Sequence, residues 1–221
     1  MKRRSATADR ILEASRQIFN QKGYAASSVT EIAASLGMSQ GNLTYHFPTK
    51  RDLAVALEDE ALRMMQDRRR GLKPGVIADD YIEHLVFAME LTWRFRFVLR
   101  DRPEYAGAAL GRRNDSQIQA DYSELVGLLN RISEQGLYLT KATPPIEQLA
   151  RSLWIVSRYW IDSLRELEGL QEISWADQER GIQHHLGVLL PCLKATARRE
   201  FNAALQRIAA DNRRLASTRP I

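Results

Sequence analysis

Residues 27–47 constrain the fold of this chain more than any other stretch. Their apolar residues fall on one helical stripe, and Gly37 then supplies the left-handed conformation that ends many helices. Ser28 and Glu31 have the spacing of a reciprocal capping box at the start of that helix, and Pro48 ends a second, shorter one. We therefore predict two short helices joined by a tight glycine turn. The second has little apolar surface, which is typical of a helix that contacts a partner molecule.

The remainder of the chain also has helical periodicity, without the alternating pattern of strands. A glycine- and proline-containing break at residues 71–75 separates the first helices from the later ones. The predicted helices span 7–22, 50–70, 78–100, 104–112, 116–138, 145–168 and 175–212, with a kink or break at Pro191 in the last. The predicted fold class is all-α.

Length and composition limit the classes of protein to which this chain can belong. Its 221 residues, 44% of them hydrophobic, are enough to bury a substantial core. The single cysteine, Cys192, allows no internal disulfide, and the basic N-terminus has no apolar stretch of a signal peptide behind it. No run approaches the roughly 18 apolar residues of a membrane helix. We expect a soluble protein without membrane contact, located in the cytoplasm.

The positive charge is concentrated at the two ends of the chain. Residues 1–53 carry a net charge of +4 and residues 192–221 carry +5, whereas the middle carries −4. Basic ends are typical of proteins that bind a polyanion such as DNA, although a solvated charged surface also explains them.

The first fifty or so residues resemble the DNA-binding domain of the TetR family of bacterial transcriptional regulators. The resemblance rests on Phe19, Lys22-Gly23-Tyr24, Ser28-Val29-Thr30-Glu31-Ile32-Ala33, Leu36-Gly37-Met38-Ser39, Gly41-Asn42-Leu43-Thr44-Tyr45-His46-Phe47, Lys50 and Leu53. It implies an N-terminal three-helix helix-turn-helix domain over residues 1–53. A helix at about 50–70 would link it to a larger helical ligand-binding and dimerisation domain over 54–221, with a basic C-terminal helix at about 192–216. The implied protein is a homodimeric repressor that an unidentified small-molecule effector releases from a palindromic DNA operator.

The second short helix supplies the candidate DNA contacts. A recognition helix lies in the major groove, where Gln and Asn can pair with adenine and a threonine methyl can contact thymine. The candidates for base contacts are therefore Gln40, Asn42 and Thr44. The resemblance implies phosphate contacts from Thr30, Tyr45, His46 and Lys50, and the basic N-terminal arm adds Arg4. Asn42 bonding only to its own backbone is the alternative for that residue.

Ligand-binding and catalytic residues are harder to assign. Trp93, Phe97, Trp154, Arg158 and Trp160 are candidates to line an effector pocket, but large aromatic residues at helical spacing are more often core, and the arginine has possible carboxylate partners. His184 and His185 are adjacent and point to different sides of a helix, so no metal site or cofactor is predicted. The sequence has no set of nucleophile, base and orienting residue at workable spacing, and we expect no enzyme activity.

Overall fold

The computed structural model describes residues 5–71, 73–105, 108–139, 144–170 and 172–217. These residues form ten α-helices, one short 3₁₀ helix and no strand, which confirms the all-α prediction. The helices are α1 (Ala6–Lys22), α2 (Val29–Ser35), α3 (Gln40–His46), α4 (Lys50–Gly71), α5 (Ile77–Arg94), α6 (Arg96–Tyr105), α7 (Ala108–Glu134), α8 (Ile146–Glu168), α9 (Trp175–Leu189) and α10 (Ala195–Ser217).

The described residues divide into two compact units. The first consists of α1 to α4, α6 and the start of α7 up to Gln117; the second consists of α5 up to Trp93, the rest of α7, and α8 to α10. The first unit thus extends beyond the DNA-binding domain predicted over residues 1–53. No helix in the described ranges is long and apolar enough to cross a membrane.

The first unit is organised around a small apolar core to which each of its first four helices contributes. The side chains of Phe19, Ile32, Leu43 and Leu53 are completely buried there. Full burial of such a side chain contributes about 1.5 to 3 kcal/mol, so the short helices α2 and α3 are stabilised by packing rather than by their own propensity.

The second unit has the larger core. Its fully buried side chains include Tyr81 of α5, Leu129 of α7, Leu153 of α8 and Phe201 of α10. His185 of α9 is also buried there, between the hydroxyl of Tyr81, 2.7 Å from Nε2, and that of Ser157, 2.8 Å from Nδ1. Burial lowers the pKa of His185 to about 3, so this imidazole is a neutral hydrogen-bonding group.

Three of the predicted helices have wrong bounds. The helix predicted over 78–100 is interrupted at Phe95, because Asn20 of α1 bonds the groups that the break frees: its amide donates to the Arg94 carbonyl at 2.9 Å, and its side-chain oxygen accepts from the Phe97 N–H at 3.1 Å. The helices predicted over 104–112 and 116–138 are replaced by α7, which continues through Gly111.

The break at Pro191 is confirmed, and one capping prediction is only half correct. A 3₁₀ turn at Leu190–Cys192 separates α9 from α10, so the basic C-terminal segment is a separate helix. Ser28 caps α2 by accepting from the Glu31 N–H. The Glu31 carboxylate, however, pairs with Lys22 of α1.

Candidate nucleic-acid interface

Local interactions set the geometry of α2, the following turn and α3. Gly37 has a φ of +65°, the left-handed conformation that ends α2 without strain. The Ser39 hydroxyl then accepts from the Asn42 N–H at 3.2 Å and caps α3. Leu43 is completely buried and anchors α3 to the core, and the other positions of this helix are exposed or half-buried.

The three predicted base-contact residues lie together on α3. Gln40 and Asn42 are exposed, and Thr44 is half-buried. The Thr44 hydroxyl shares its one proton between the carbonyls of Gln40 and Gly41, each at 3.1 Å, so its methyl group and its oxygen lone pairs are left to contact a base. In the described residues, the Asn42 side chain takes part in no hydrogen bond, whereas Gln40 Oε1 accepts from Thr30 Oγ1 at 2.9 Å.

Tyr45 and His46 form an aromatic pair at the end of α3, in which Tyr45 is exposed and His46 is half-buried. The side chain of Tyr45 is 84% exposed, the highest value among the described large apolar and aromatic residues together with that of Leu167. Its ring meets that of His46 edge-on, with 5.4 Å between the centroids. A tyrosine this exposed contributes little to the core, and its hydroxyl is accessible to an acceptor such as a phosphate oxygen.

Lys50, the fourth predicted phosphate contact, has its ammonium group directed at the turn between α1 and α2. Its Nζ lies 2.8 Å from the carbonyl oxygen of Tyr24, 2.9 Å from that of Ser27 and 3.3 Å from that of Ala25. It also lies 4.3 Å from the centroid of the Tyr24 ring. A lysine ammonium has three donors, so a phosphate would have to replace one of these carbonyls, and the phosphate contact stays a prediction. Arg4 lies outside the described residues.

The sequence interpretation missed a contact between α6 and the helix-turn-helix segment. The carboxylate of Asp101 accepts from the backbone N–H of Tyr24 at 2.7 Å, and Arg100 donates to the Phe19 carbonyl at 2.9 Å while pairing with the same carboxylate. These bonds attach α6 to the turn that follows α1. The separation of about 80 residues leaves no local signal of this contact in the sequence.

The predicted pocket residues are divided between the two units. Phe97 is completely buried in the first unit, where its ring lies 5.2 Å from that of Phe19 and 6.3 Å from that of Tyr105. The other four are half-buried in the second unit and fall into three places: Trp154 with Arg158, Trp160 against His184, and Trp93 against Trp175. A ligand-binding role for these residues stays a prediction.

Sequence comparisons agree with this geometry. Residues 11–57 match the profile of the bacterial regulatory proteins of the tetR family, and residues 57–201 match that of the bacterial transcriptional repressor TetR. The chain is 29% identical over 84 residues to the HTH-type transcriptional regulator CymR of Pseudomonas putida, a match that covers 36% of this chain and 40% of CymR. It is 36% identical over 66 residues to the HTH-type transcriptional regulator UidR of Escherichia coli K12, covering 30% of this chain and 31% of UidR. The matches span well under two thirds of these relatives.

Solved structures share the fold over most of the chain. A TetR-family regulator from Marinobacter aquaeolei VT8 superposes with a TM-score of 0.75 at 21% identity, covering 92% of this chain and 98% of that one. A transcriptional regulator from Saccharomonospora viridis in complex with choline has a TM-score of 0.63 at 17% identity, covering 82% and 94%. The SmeT–triclosan complex has a TM-score of 0.60 at 20% identity, covering 87% and 94%. The two family profiles together match residues 11–201, and the first of them includes the helix-turn-helix segment. The chain therefore belongs to the TetR family of bacterial transcriptional regulators.

Proposed function

We propose that this protein is a homodimeric repressor that binds a palindromic operator and leaves it when a small-molecule effector binds. The observation that carries the DNA-binding part is α3: Leu43 fixes one side in the core, and the polar side chains of Gln40, Asn42 and Thr44 occupy the other positions. A helix with this division of faces can present its N-terminal residues to base edges in the major groove. Each bidentate pair with a base is worth about 1 to 3 kcal/mol of discrimination.

The phosphate contacts in this proposal come from the residues that flank α3. Tyr45 and His46 extend from its C-terminal end, and Thr30 lies at the start of α2. Such contacts hold the register of the protein on the duplex but do not read the sequence. Lys50 has a second role in the proposal, because its contacts with the carbonyls of Tyr24 and Ser27 hold the segment from which α2 begins.

The homodimer and the effector rest on the family and on the neighbouring structures. Structures of two neighbours hold choline and triclosan, which supports a small-molecule effector for this chain without identifying it. We assign DNA binding to residues 1–53 with the linking helix at about 50–70, and effector binding and dimerisation to residues 54–221. A two-fold dimer presents two copies of α3, so the operator should be an inverted repeat with half-sites about one helical turn apart.

Selection of bound duplexes from a random DNA pool tests this function. The proposal predicts an enriched inverted repeat whose half-sites are about 10 base pairs apart or a multiple of that distance. Enrichment of a single, unrepeated site would contradict the dimeric arrangement. No enrichment at all would contradict sequence-specific binding.

Effector release requires a change in the separation of the two α3 helices of the dimer. Two helices bond to the turn after α1 and could transmit such a change to α3. These are α4, through Lys50, and α6, through Asp101 and Arg100. Spin labels placed at Arg51, in the first turn of α4 of each protomer, report the distance between the two helix-turn-helix segments. An effector that releases DNA should change this distance, and an unchanged distance would contradict the mechanism.

A further inference from the structure

A cluster of potential metal ligands lies in the second unit, whereas the described residues discussed for DNA binding belong to the first. It consists of His84 of α5 with Asp121 and Glu124 of α7. His84 Nδ1 lies 2.9 Å from Glu124 Oε1, and one ligand atom from each of the three residues lies within 4.8 Å of the others. Asp121 and Glu124 are three positions apart, so both carboxylates project from one face of α7 towards the imidazole.

The cluster is enclosed rather than spread over the surface. The His84 side chain is 7% exposed and that of Glu124 is 15% exposed, and Asp121 is half-buried. The two carboxylates carry a formal charge of −2. Two partly buried carboxylates converging on one imidazole are costly to desolvate, and a divalent cation between them would balance their charge.

The distances suit a metal ion. Metal–nitrogen and metal–oxygen bonds of 2.0 to 2.2 Å place adjacent ligand atoms about 3 Å apart and opposite ones about 4 Å apart. The 2.9 Å separation already fits adjacent ligands, and closing the 4.8 Å span requires a shift of less than about 1 Å, within reach of small side-chain rotations.

We propose that His84, Asp121 and Glu124 bind a divalent first-row transition-metal ion such as Zn²⁺, Co²⁺ or Mn²⁺. One imidazole and two carboxylates form a mixed nitrogen and oxygen set, which suits these ions better than the all-oxygen sites of Ca²⁺ or the thiolate-rich sites of Cu⁺. Three protein ligands leave at least one coordination position for water or for an anionic group of another molecule. The ion would link α5 to α7.

The other described histidines of the second unit are excluded as ligands. Both ring nitrogens of His185 are occupied, by the hydroxyls of Tyr81 and Ser157. His184 is exposed and its ring lies against Trp160, with 4.7 Å between the centroids. His184 therefore offers a matched control on the same unit.

Titration of untagged, chelator-treated full-length protein with Co²⁺ tests the site. Absorption bands of coordinated Co²⁺ and calorimetry should give one bound ion per chain. Glu124→Gln keeps the shape and the hydrogen-bond acceptor facing His84 but removes the ligand charge, so it should weaken binding at least tenfold; Asp121→Asn should do the same. His184→Gln should bind as the parent does.

Thermal unfolding with and without metal distinguishes a variant that has lost the metal site from one that fails to fold. Zn²⁺ or Co²⁺ should raise the melting temperature of the parent and of His184→Gln, because an ion that binds only the folded state stabilises it. Glu124→Gln should melt cooperatively without metal, which shows that it folds, and its melting temperature should rise little when metal is added. No bound ion in the parent, or equal affinity in the parent and in Glu124→Gln, would overturn the proposal. None of these readouts depends on DNA binding.

Discussion

Thr30 Oγ1 donates a hydrogen bond to Gln40 Oε1 at 2.9 Å, which joins the first turn of α2 to the first residue of α3. The bond occupies the oxygen end of the Gln40 amide and leaves its NH₂ group pointing elsewhere. A glutamine held in this way has two donors and one remaining acceptor lone pair for a base edge. Thr30 thus helps to determine what Gln40 can recognise.

Replacing Thr30 by valine removes the hydroxyl and keeps the shape of the side chain. We expect relaxed preference at the base pair that Gln40 reads, with other positions of the operator unaffected, and Thr30→Ser should retain the parental preference. Selection from a random DNA pool with each variant measures this. A uniform loss of affinity for all sequences, with the parental preference kept at every base pair, would leave Thr30 with the phosphate contact alone and contradict the orienting role.

Tyr45 and Asn42 should differ in the kind of binding they support. Tyr45→Ala should weaken binding to every duplex without changing the preferred sequence, because a phosphate contact carries no base information. Asn42→Ala should cost about 1 to 3 kcal/mol at particular base pairs and relax the preference there. Titrations against a panel of single-site operator variants separate the two patterns, and Tyr45→Phe shows how much of the loss belongs to the hydroxyl. Parental behaviour of both alanine variants would show that α3 is not the recognition helix.

Lys50→Met should lower both stability and DNA affinity. The variant keeps the length of the side chain but removes the ammonium from the carbonyls of Tyr24 and Ser27, and hydrogen bonds to charged groups contribute about 1.5 to 3 kcal/mol when well formed. We expect a lower melting temperature, because the bonds to the turn are lost, and a slope of log affinity against log salt that falls by about 1, because a phosphate contact is lost. An unchanged slope would contradict the phosphate contact, and an unchanged melting temperature would contradict the role of Lys50 in holding the turn.

Gly181 of α9 lies where the packing leaves no room for a methyl group. A Cβ there would come within 2.4 Å of the Met89 methyl and 2.6 Å of the Trp160 ring. Gly181→Ala should therefore destabilise the protein by about 1 to 3 kcal/mol through overpacking, against the usual gain of alanine in a helix. Gly127→Ala in α7 is the control, because nothing lies within 4 Å of that position, and it should stabilise by about 0.5 to 1 kcal/mol. Equal effects in chemical denaturation would contradict the close packing.

The helix-turn-helix segment was predictable because its signals are local. Ser28, Gly37 and Ser39 cap or end helices through bonds to residues at most a few positions away. The same local signals failed at Gly111, since one glycine costs a helix only about 1 kcal/mol and the long α7 continues through it.

The contacts that the sequence did not predict join residues far apart in the chain. Lys50 bonds carbonyls more than 20 positions earlier, and Asp101 bonds the Tyr24 N–H 77 positions away. The His84, Asp121 and Glu124 cluster likewise depends on how α5 packs against α7. The spacing of Asp121 and Glu124 is visible in the sequence, but such pairs are common on solvated helices, and nothing local indicates that a histidine faces them.

Sequence-specific binding through α3 is tested most directly by comparing two duplexes of equal length and composition. One carries the selected operator and the other carries the same bases in shuffled order, and fluorescence anisotropy at one fixed salt concentration gives both affinities. The account predicts that the protein binds the operator at least about 10³ times more tightly than the shuffled duplex, which is the lower end of the range for specific DNA-binding proteins. Asn42→Ala should reduce the ratio of the two affinities. Equal affinities of the parent protein for the two duplexes would contradict it.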